Sequence, residues 1–365
     1  MAPHTKLPPL PPEALADERA IAAAATKAVD RARAGDIRGG LALALQAHRQ
    51  AQGLALPSGE LAALNAAATV HGIRGDLMAA VAAGIDACVL ARKLGARAIH
   101  GHALVTIATS AFRLGILPQA KTYLEECLER AREEGDARLE ARARIALGIV
   151  LGDSGNFDAA AVQVARAFLL VRQSGDSTSP ARVITNLANV HRKRAAALAL
   201  AGDRERLELE CEEAESLAWK ALESARGEGN LAVQVDAFAI RAQTCALRGD
   251  SRWAAEHFGS AVRAARETGL SAPLAMALAG LGRSRLGLGD VQGALEAWRE
   301  AHEVASALRP SERIAEACRG LAEVHARAGD ELGERRWRER AAAESAEFSH
   351  ACDQTRAQLR AFLIP

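Results

Sequence analysis

The sequence predicts an all-α fold of stacked helix hairpins, and three observations lead to this prediction. Glycine-led turns recur at nearly constant spacing along the 365 residues, hydrophobic residues make up 49% of the chain, and aromatic residues make up only 3%. Repetition at a period of about 20–50 residues is typical of solenoids, whose units bury their apolar faces only against neighbours. An apolar core built without aromatic or β-branched runs favours helices. We therefore expect an all-α solenoid of about eight hairpins.

A first ladder of turns separates the two helices of each hairpin. Its members are Gly35-Asp36, Gly75-Asp76, Gly115-Ile116, Gly155-Asn156, Gly202-Asp203, Gly249-Asp250, Gly289-Asp290 and Gly329-Asp330. The intervals are 40, 40, 40, 47, 47, 40 and 40 residues. A second ladder interleaves with the first, so each unit contains two helices and two turns. Its members are Gly95, Gly135, Gly175, Gly229 and Gly269.

Small residues recur at fixed distances from the glycines of the first ladder. Seven residues before them stand Ala28, Ala68, Ala108, Gly148, Ala195, Ala242, Gly282 and Ala322. Five residues after them stand Ala80, Ala120, Ala160, Ala254 and Ala294. Because only a small side chain lets two helix axes come close, we expect these residues at helix crossings. Large residues nine past the turn, such as Leu124, Phe258 and Trp298, fill the ridges between them.

This pattern resembles the tetratricopeptide repeat (TPR), with its small residue at about position 8, its turn glycine at about 15 and its alanine at about 20. The resemblance covers residues 14–349. The 40-residue period resembles the longer-helix variant of bacterial sensory and regulatory proteins. The resemblance implies a right-handed superhelix. Because the repeat is unbroken, we expect one elongated domain without an internal boundary.

The two ends of the chain depart from the repeat. A proline-rich segment at residues 7–12 predicts a disordered leader over residues 1–13. Residues 334–364 contain neither glycine nor proline, and apolar residues recur there in steps of 3 and 4 from Trp337 to Phe362. That period predicts a packed helix, with residues 350–365 forming a capping helix continuous with the last repeat. The alternative is a coiled-coil homodimer seam; the monomer is favoured.

The two 47-residue intervals predict an elongated fifth hairpin at about residues 178–229, with seven extra residues in each helix. Its first helix carries a basic run, His191 to Arg194, and its second carries six glutamates between Glu205 and Glu215. In an antiparallel hairpin that turns at Gly202, Arg194 is level with Glu210, and His191 with Glu213. These charges either neutralise one another or form a knob that docks a partner.

The first helix of this hairpin also carries the candidate binding face. Arg182, Asn186, Asn189 and Lys193 are spaced by 4, 3 and 4 residues and therefore share one helical face. The resemblance implies that such asparagines bind the backbone of a peptide and that the basic residues bind its carboxylates. The alternative is a solvated face. The repeat register adds Asn65, His102, Thr109, Arg142, Asp236, Gln243, Arg283 and Arg319 to the inner surface.

Composition and motifs exclude several classes of function. A formal net charge of +1 supplies no field to attract phosphate, so a nucleic-acid partner is not expected. The ten histidines and six cysteines form no ligand or catalytic motif, so we expect no metal, no cofactor and no enzyme. We expect the cysteines to be reduced and to lie in the core. Without a signal-like or membrane-spanning segment, the expected location is cytoplasmic, with no membrane partner.

The function predicted from the sequence is therefore binding without catalysis. We expect a scaffold that captures a protein or peptide on its inner surface. The alternative is a ligand-responsive sensor, in which a bound peptide or small molecule regulates a partner signalling or transcription protein.

Overall fold

The computed structural model describes residues 12–33, 36–115, 120–174, 179–269, 271–308 and 312–363. Within these ranges the chain forms sixteen α-helices and no strand, which confirms the predicted all-α fold class. Consecutive helices pair into eight hairpins. The helices are α1 Pro12–Arg33, α2 Ile37–Gly53, α3 Pro57–Arg74, α4 Leu77–Leu94, α5 Arg97–Arg113, α6 Ala120–Glu133, α7 Ala137–Asp153, α8 Phe157–Ser174, α9 Pro180–Ala201, α10 Arg204–Gly227, α11 Leu231–Leu247, α12 Ser251–Thr268, α13 Ser271–Gly287, α14 Val291–Ser306, α15 Glu312–Arg327 and α16 Glu331–Leu363.

The contacts among these helices divide the chain into two compact units. The first unit contains the described residues up to Ala146 and those from Thr355 onward, and the second contains residues 147–354. The boundaries fall inside α7 and α16. Because each hairpin of a repeat array contacts mainly its neighbours, the contacts group locally.

The glycine ladders mark the helix ends. In the described part of the chain, all eleven glycines with a positive φ belong to one of the two ladders. Glycine readily takes this left-handed conformation at a helix end because it lacks a Cβ. The next residue then caps the following helix: Asp76, Asp203, Asp250 and Asp290 each accept a backbone N–H from three residues further on. The ladder residues Gly35, Ile116, Gly175 and Asp176 lie outside the described ranges.

Within each unit, the first helices of successive hairpins pack side by side. In the first unit α1 contacts α3 and α3 contacts α5, and in the second unit α9, α11, α13 and α15 follow in the same way. The small residues expected at helix crossings are buried, including Ala80, Ala160 and Ala294. The large ridge residues, among them Leu124 and Trp298, are buried as well.

The fifth hairpin is longer than its neighbours, as its spacing predicts. Helix α9 has 22 residues and α10 has 24, compared with 17 in α11 and 18 in α12. Helix α1 begins at Pro12, inside the predicted leader, because the fixed φ of proline suits a first helical turn. Residues 1–11 of that leader lie outside the described ranges.

The last helix, α16, runs without a break from Glu331 to Leu363. Trp337 and Ala341 pack in the second unit against Ile314 and Cys318 of the eighth hairpin. Residues from Thr355 belong to the first unit, where the Arg92 guanidinium lies 4.5 Å from the centroid of the Phe362 ring. The role of residues 350–365 as a cap stays a prediction.

None of the described helices combines the length and the apolar character needed to cross a membrane.

Candidate functional site

The candidate face lies on α9, whose start is well defined. Ser179 caps the helix by accepting the backbone N–H of Arg182, and Pro180 occupies the first turn. Asn186 and Asn189 follow at the helical spacing and are half-buried. Because α11 lies directly beside α9, residues of α11 can complete this face.

Arg192 is the distinctive residue of this face. Its Nε donates a hydrogen bond to Oδ1 of Asn189 at 2.9 Å. No carboxylate among the described residues forms an ion pair with the Arg192 guanidinium. Burial lowers the pKa of Arg192 from its ordinary value, and the nearby charge of Asp153 opposes that shift. A half-buried guanidinium without a carboxylate partner retains unused donors for an anionic group.

The two basic residues predicted to bind a ligand are paired within the chain. Arg182 forms an ion pair with Asp236 of α11. Lys193 forms one with Asp153 at the end of α7. The side-chain amides of Asn186 and Gln243 make no hydrogen bond with any described residue. The neutral amides of this face are thus more available to a ligand than these two basic groups.

The other predicted inner-face residues are divided between the two units. Nδ1 of His102 in the first unit accepts a 2.7 Å hydrogen bond from the Arg142 guanidinium. Asn65, also in the first unit, has a buried Oδ1 without a hydrogen-bond donor among the described residues. Arg283 of the second unit pairs with Glu316 at 2.9 Å. The candidates of the first unit are thus Asn65, His102, Thr109 and Arg142, and the other eight belong to the second unit.

Arg192 is absent from the face predicted from the sequence, because it also belongs to the basic run at the hairpin tip. Its position in the repeat is the feature of the sequence that identifies it as an inner-face residue. Arg192 stands ten residues before the turn glycine Gly202, as the inner-face residues Asn65 and Arg319 do before theirs.

The tip of the fifth hairpin is internally paired. Arg194 binds Glu210 at 3.0 Å, as its level position predicts. His191 binds Glu210 at 2.8 Å and not Glu213, which corrects the predicted pair. Residues three apart share a helical face, so His191 and Arg194 reach the same carboxylate. Beside this pair the elongated hairpin leaves a cavity of about 690 Å³, lined by Phe157, Leu198 and Leu209 among others.

The six cysteines are buried, and none of them forms a disulfide. Burial raises the pKa of Cys88 to about 12 and that of Cys127 to about 11. A thiol with a raised pKa is a poor nucleophile, because the thiolate is the reactive form. These two cysteines therefore act as small core residues.

The comparisons with known proteins agree with this architecture. The tetratricopeptide repeat family model matches residues 101–168. The apo form of the quorum sensor NprR from B. thuringiensis is 14% identical, with a TM-score of 0.55 over 85% of this chain and 83% of that chain. A Rap protein complexed with Competence and Sporulation Factor is 12% identical, with a TM-score of 0.55 over 91% of this chain and 99% of that chain. No curated protein sequence matches the chain. The predicted resemblance to the tetratricopeptide repeat is confirmed, and at these identities the structural similarity concerns the fold.

Proposed function

We propose that this chain is a non-catalytic binding protein that captures an acidic peptide or protein segment on the α9 face. The observation that carries the proposal is the half-buried Arg192 guanidinium, which has no carboxylate partner among the described residues. An arginine in this state binds a carboxylate with two parallel hydrogen bonds. The free amide of Asn186, two turns away on the same helix, supplies both a donor and an acceptor for a peptide backbone.

Two similar folds support a binding role. The Rap structure contains Competence and Sporulation Factor, and NprR is described as a quorum sensor. The similarity to a sensor also supports the second candidate, a ligand-responsive regulator of a partner protein. The two candidates differ in whether the bound ligand changes the shape of the array. Small-angle scattering with and without a bound peptide distinguishes them. The cytoplasmic location and the monomeric state stay predictions.

The test begins with selection of peptides from a random library on the immobilised full chain. We expect selected peptides to be enriched in Asp and Glu. Their affinity for the Arg192→Gln variant, measured by fluorescence anisotropy, should fall at least about tenfold, because a hydrogen bond to a charged group contributes about 1.5–3 kcal/mol. Asn186→Ala should weaken binding by about 1 kcal/mol with no loss of helix content, since alanine favours helices.

Arg226→Gln at the end of α10 is the matched control, since it removes one exposed guanidinium from a second helix. Binding to this variant should be unchanged. Peptides without acidic enrichment, or equal affinities for the wild-type and Arg192→Gln chains, would contradict the proposal.

A further inference from the structure

Three side chains with metal-ligating atoms, none of them on α9, meet in the second unit. They are Glu215 of α10, Cys245 of α11 and His257 of α12. One carboxylate oxygen, the Cys245 Sγ and one imidazole nitrogen all lie within 4.8 Å of one another. The spacings of 30 and 12 residues along the chain match no ligand motif, so the sequence analysis predicted no metal here.

The thiol and the imidazole have no competing hydrogen bonds. Cys245 is 7% exposed, and its Sγ bonds to no described residue. His257 is half-buried, and its ring nitrogens also lack a hydrogen-bond partner among the described residues. Its ring stacks on Trp253, with 6.2 Å between the centroids. Both soft ligands are thus held in place by packing and are free to bind.

The carboxylate of Glu215 already interacts with two arginines, which compete with a metal ion for its oxygens. It accepts a 3.1 Å hydrogen bond from Arg248 and lies 3.5 Å from Arg241. Each arginine has a second partner, because Arg248 pairs with Glu208 at 2.9 Å and Arg241 lies over the Trp219 ring at 5.2 Å. If a cation binds one oxygen of Glu215, each guanidinium therefore keeps at least one other partner. The two positive charges still oppose the cation, which limits its affinity.

The set of ligands selects the class of metal. A thiolate with an imidazole suits zinc, whereas calcium and magnesium require oxygen ligands. Zinc binds sulfur at about 2.3 Å and nitrogen at about 2.0 Å, which places tetrahedral ligand atoms roughly 3.5 Å apart. Small side-chain rotations close the remaining gap from 4.8 Å. We propose that Glu215, Cys245 and His257 form a zinc site, with water as the fourth ligand.

Cobalt(II) is the probe for this site, since it replaces zinc and reports a thiolate ligand by charge-transfer absorption. Alkylation is a poor readout here, because burial raises the pKa of the free Cys245 thiol to about 11. Titration of the reduced full chain should give absorption that saturates at one equivalent and disappears on addition of Zn²⁺. Cys245→Ser should abolish it, and His257→Ala and Glu215→Gln should each weaken Co²⁺ binding at least tenfold.

Cys211→Ser is the matched control, because Cys211 is a second buried cysteine on α10 outside the cluster. This variant should retain the full absorption. Circular dichroism verifies that each variant is folded, and Glu215→Gln keeps the size of the side chain. The proposal is overturned if no saturable absorption develops, if absorption persists in Cys245→Ser, or if Glu215→Gln binds Co²⁺ as tightly as the wild type.

Discussion

Ala55 shows at the scale of a single residue how strictly the fold uses glycine in its turns. Its φ is 52°, and it is the only residue other than glycine with a positive φ in the described part of the chain. It stands 40 residues before Gly95, where the second ladder would have its first glycine. A left-handed conformation costs about 1–2 kcal/mol for a residue with a Cβ. Ala55 therefore takes the left-handed conformation of the ladder glycines, and this conformation lowers the stability of the fold.

Replacing Ala55 by glycine should relieve this strain. We expect Ala55→Gly to raise the free energy of unfolding by about 0.5–1 kcal/mol, because the relief exceeds the added entropy of the unfolded chain. Urea denaturation of the full chain measures the change. Ala51→Gly, at a buried position inside α2, should have the opposite sign. A loss of stability in both variants would contradict the assignment of Ala55 to the ladder.

Asp76, at the turn before α4, makes the stability of the fold depend on pH. It caps α4 by accepting the N–H of Ala79 at 3.3 Å and forms ion pairs with Arg74 and His71. Burial raises the pKa of the Asp76 carboxyl, but hydrogen bonds from His71 and Arg74 outweigh burial and lower this pKa to about 2. Because the folded-state pKa lies below the unfolded value of 3.8, the carboxylate stabilises the fold above that pH. The stabilisation is lost as the pH falls towards 2.

Asp76→Asn keeps a capping oxygen and removes the titration. Between about pH 5 and pH 2 the wild-type chain should lose about 1–2 kcal/mol more stability than this variant, after allowance for solvent screening. Thermal unfolding over this pH range gives the difference. Parallel stability curves for the two proteins would show that the ion pairs of Asp76 do not stabilise the fold.

At the scale of helices, aromatic rings occupy space that glycines of neighbouring helices leave open. Trp298 of α14 is 1% exposed and packs between Gly282 of α13 and Gly320 of α15. A Cβ on Gly282 would lie 2.7 Å from the indole Nε1, and one on Gly320 would overlap the ring. The second helix of this hairpin is thereby held between two first helices.

Gly320→Ala should destabilise the chain because the indole has no room to move. We expect a loss of about 1–3 kcal/mol from overpacking, measured by urea denaturation. Gly227→Ala is the control, because no atom lies within 4 Å of a Cβ placed there near the end of α10. That variant should be neutral or up to about 1 kcal/mol more stable. Equal effects of the two substitutions would contradict this packing.

The sequence predicts the positions of the helices better than the contacts between side chains of different hairpins. Turn positions follow from the repeat period, since left-handed glycines and helix caps depend on neighbouring residues. The ion pairs on α9 join residues far apart in sequence, with Arg182 bound to Asp236 and Lys193 to Asp153. Such pairs depend on how adjacent hairpins pack, which the spacing of residues does not specify. The absence of a carboxylate partner for Arg192 among the described residues depends on the same packing.

At the scale of the whole molecule, the sequence predicts an apolar stripe on the last helix but not the surface that covers it. The stripe satisfies the helical period from Trp337 to Phe362. Period alone does not distinguish packing on the same chain from packing on a second copy. In the structure, Leu359 is 1% exposed within the single chain. The final turns of α16 are therefore part of the core of the first unit.

Truncation of Leu359 tests this packing against the coiled-coil alternative. If Leu359 packs within its own chain, Leu359→Ala should lower the free energy of unfolding by about 2–5 kcal/mol, through lost apolar burial and the cavity left behind. Light scattering should give the same mass for the variant and the wild type. Leu332→Ala on the same helix is the control, because Leu332 is 77% exposed and its loss should change stability by less than about 0.5 kcal/mol. A wild-type dimer that Leu359→Ala converts into an equally stable monomer would instead identify this stripe as a seam between two copies.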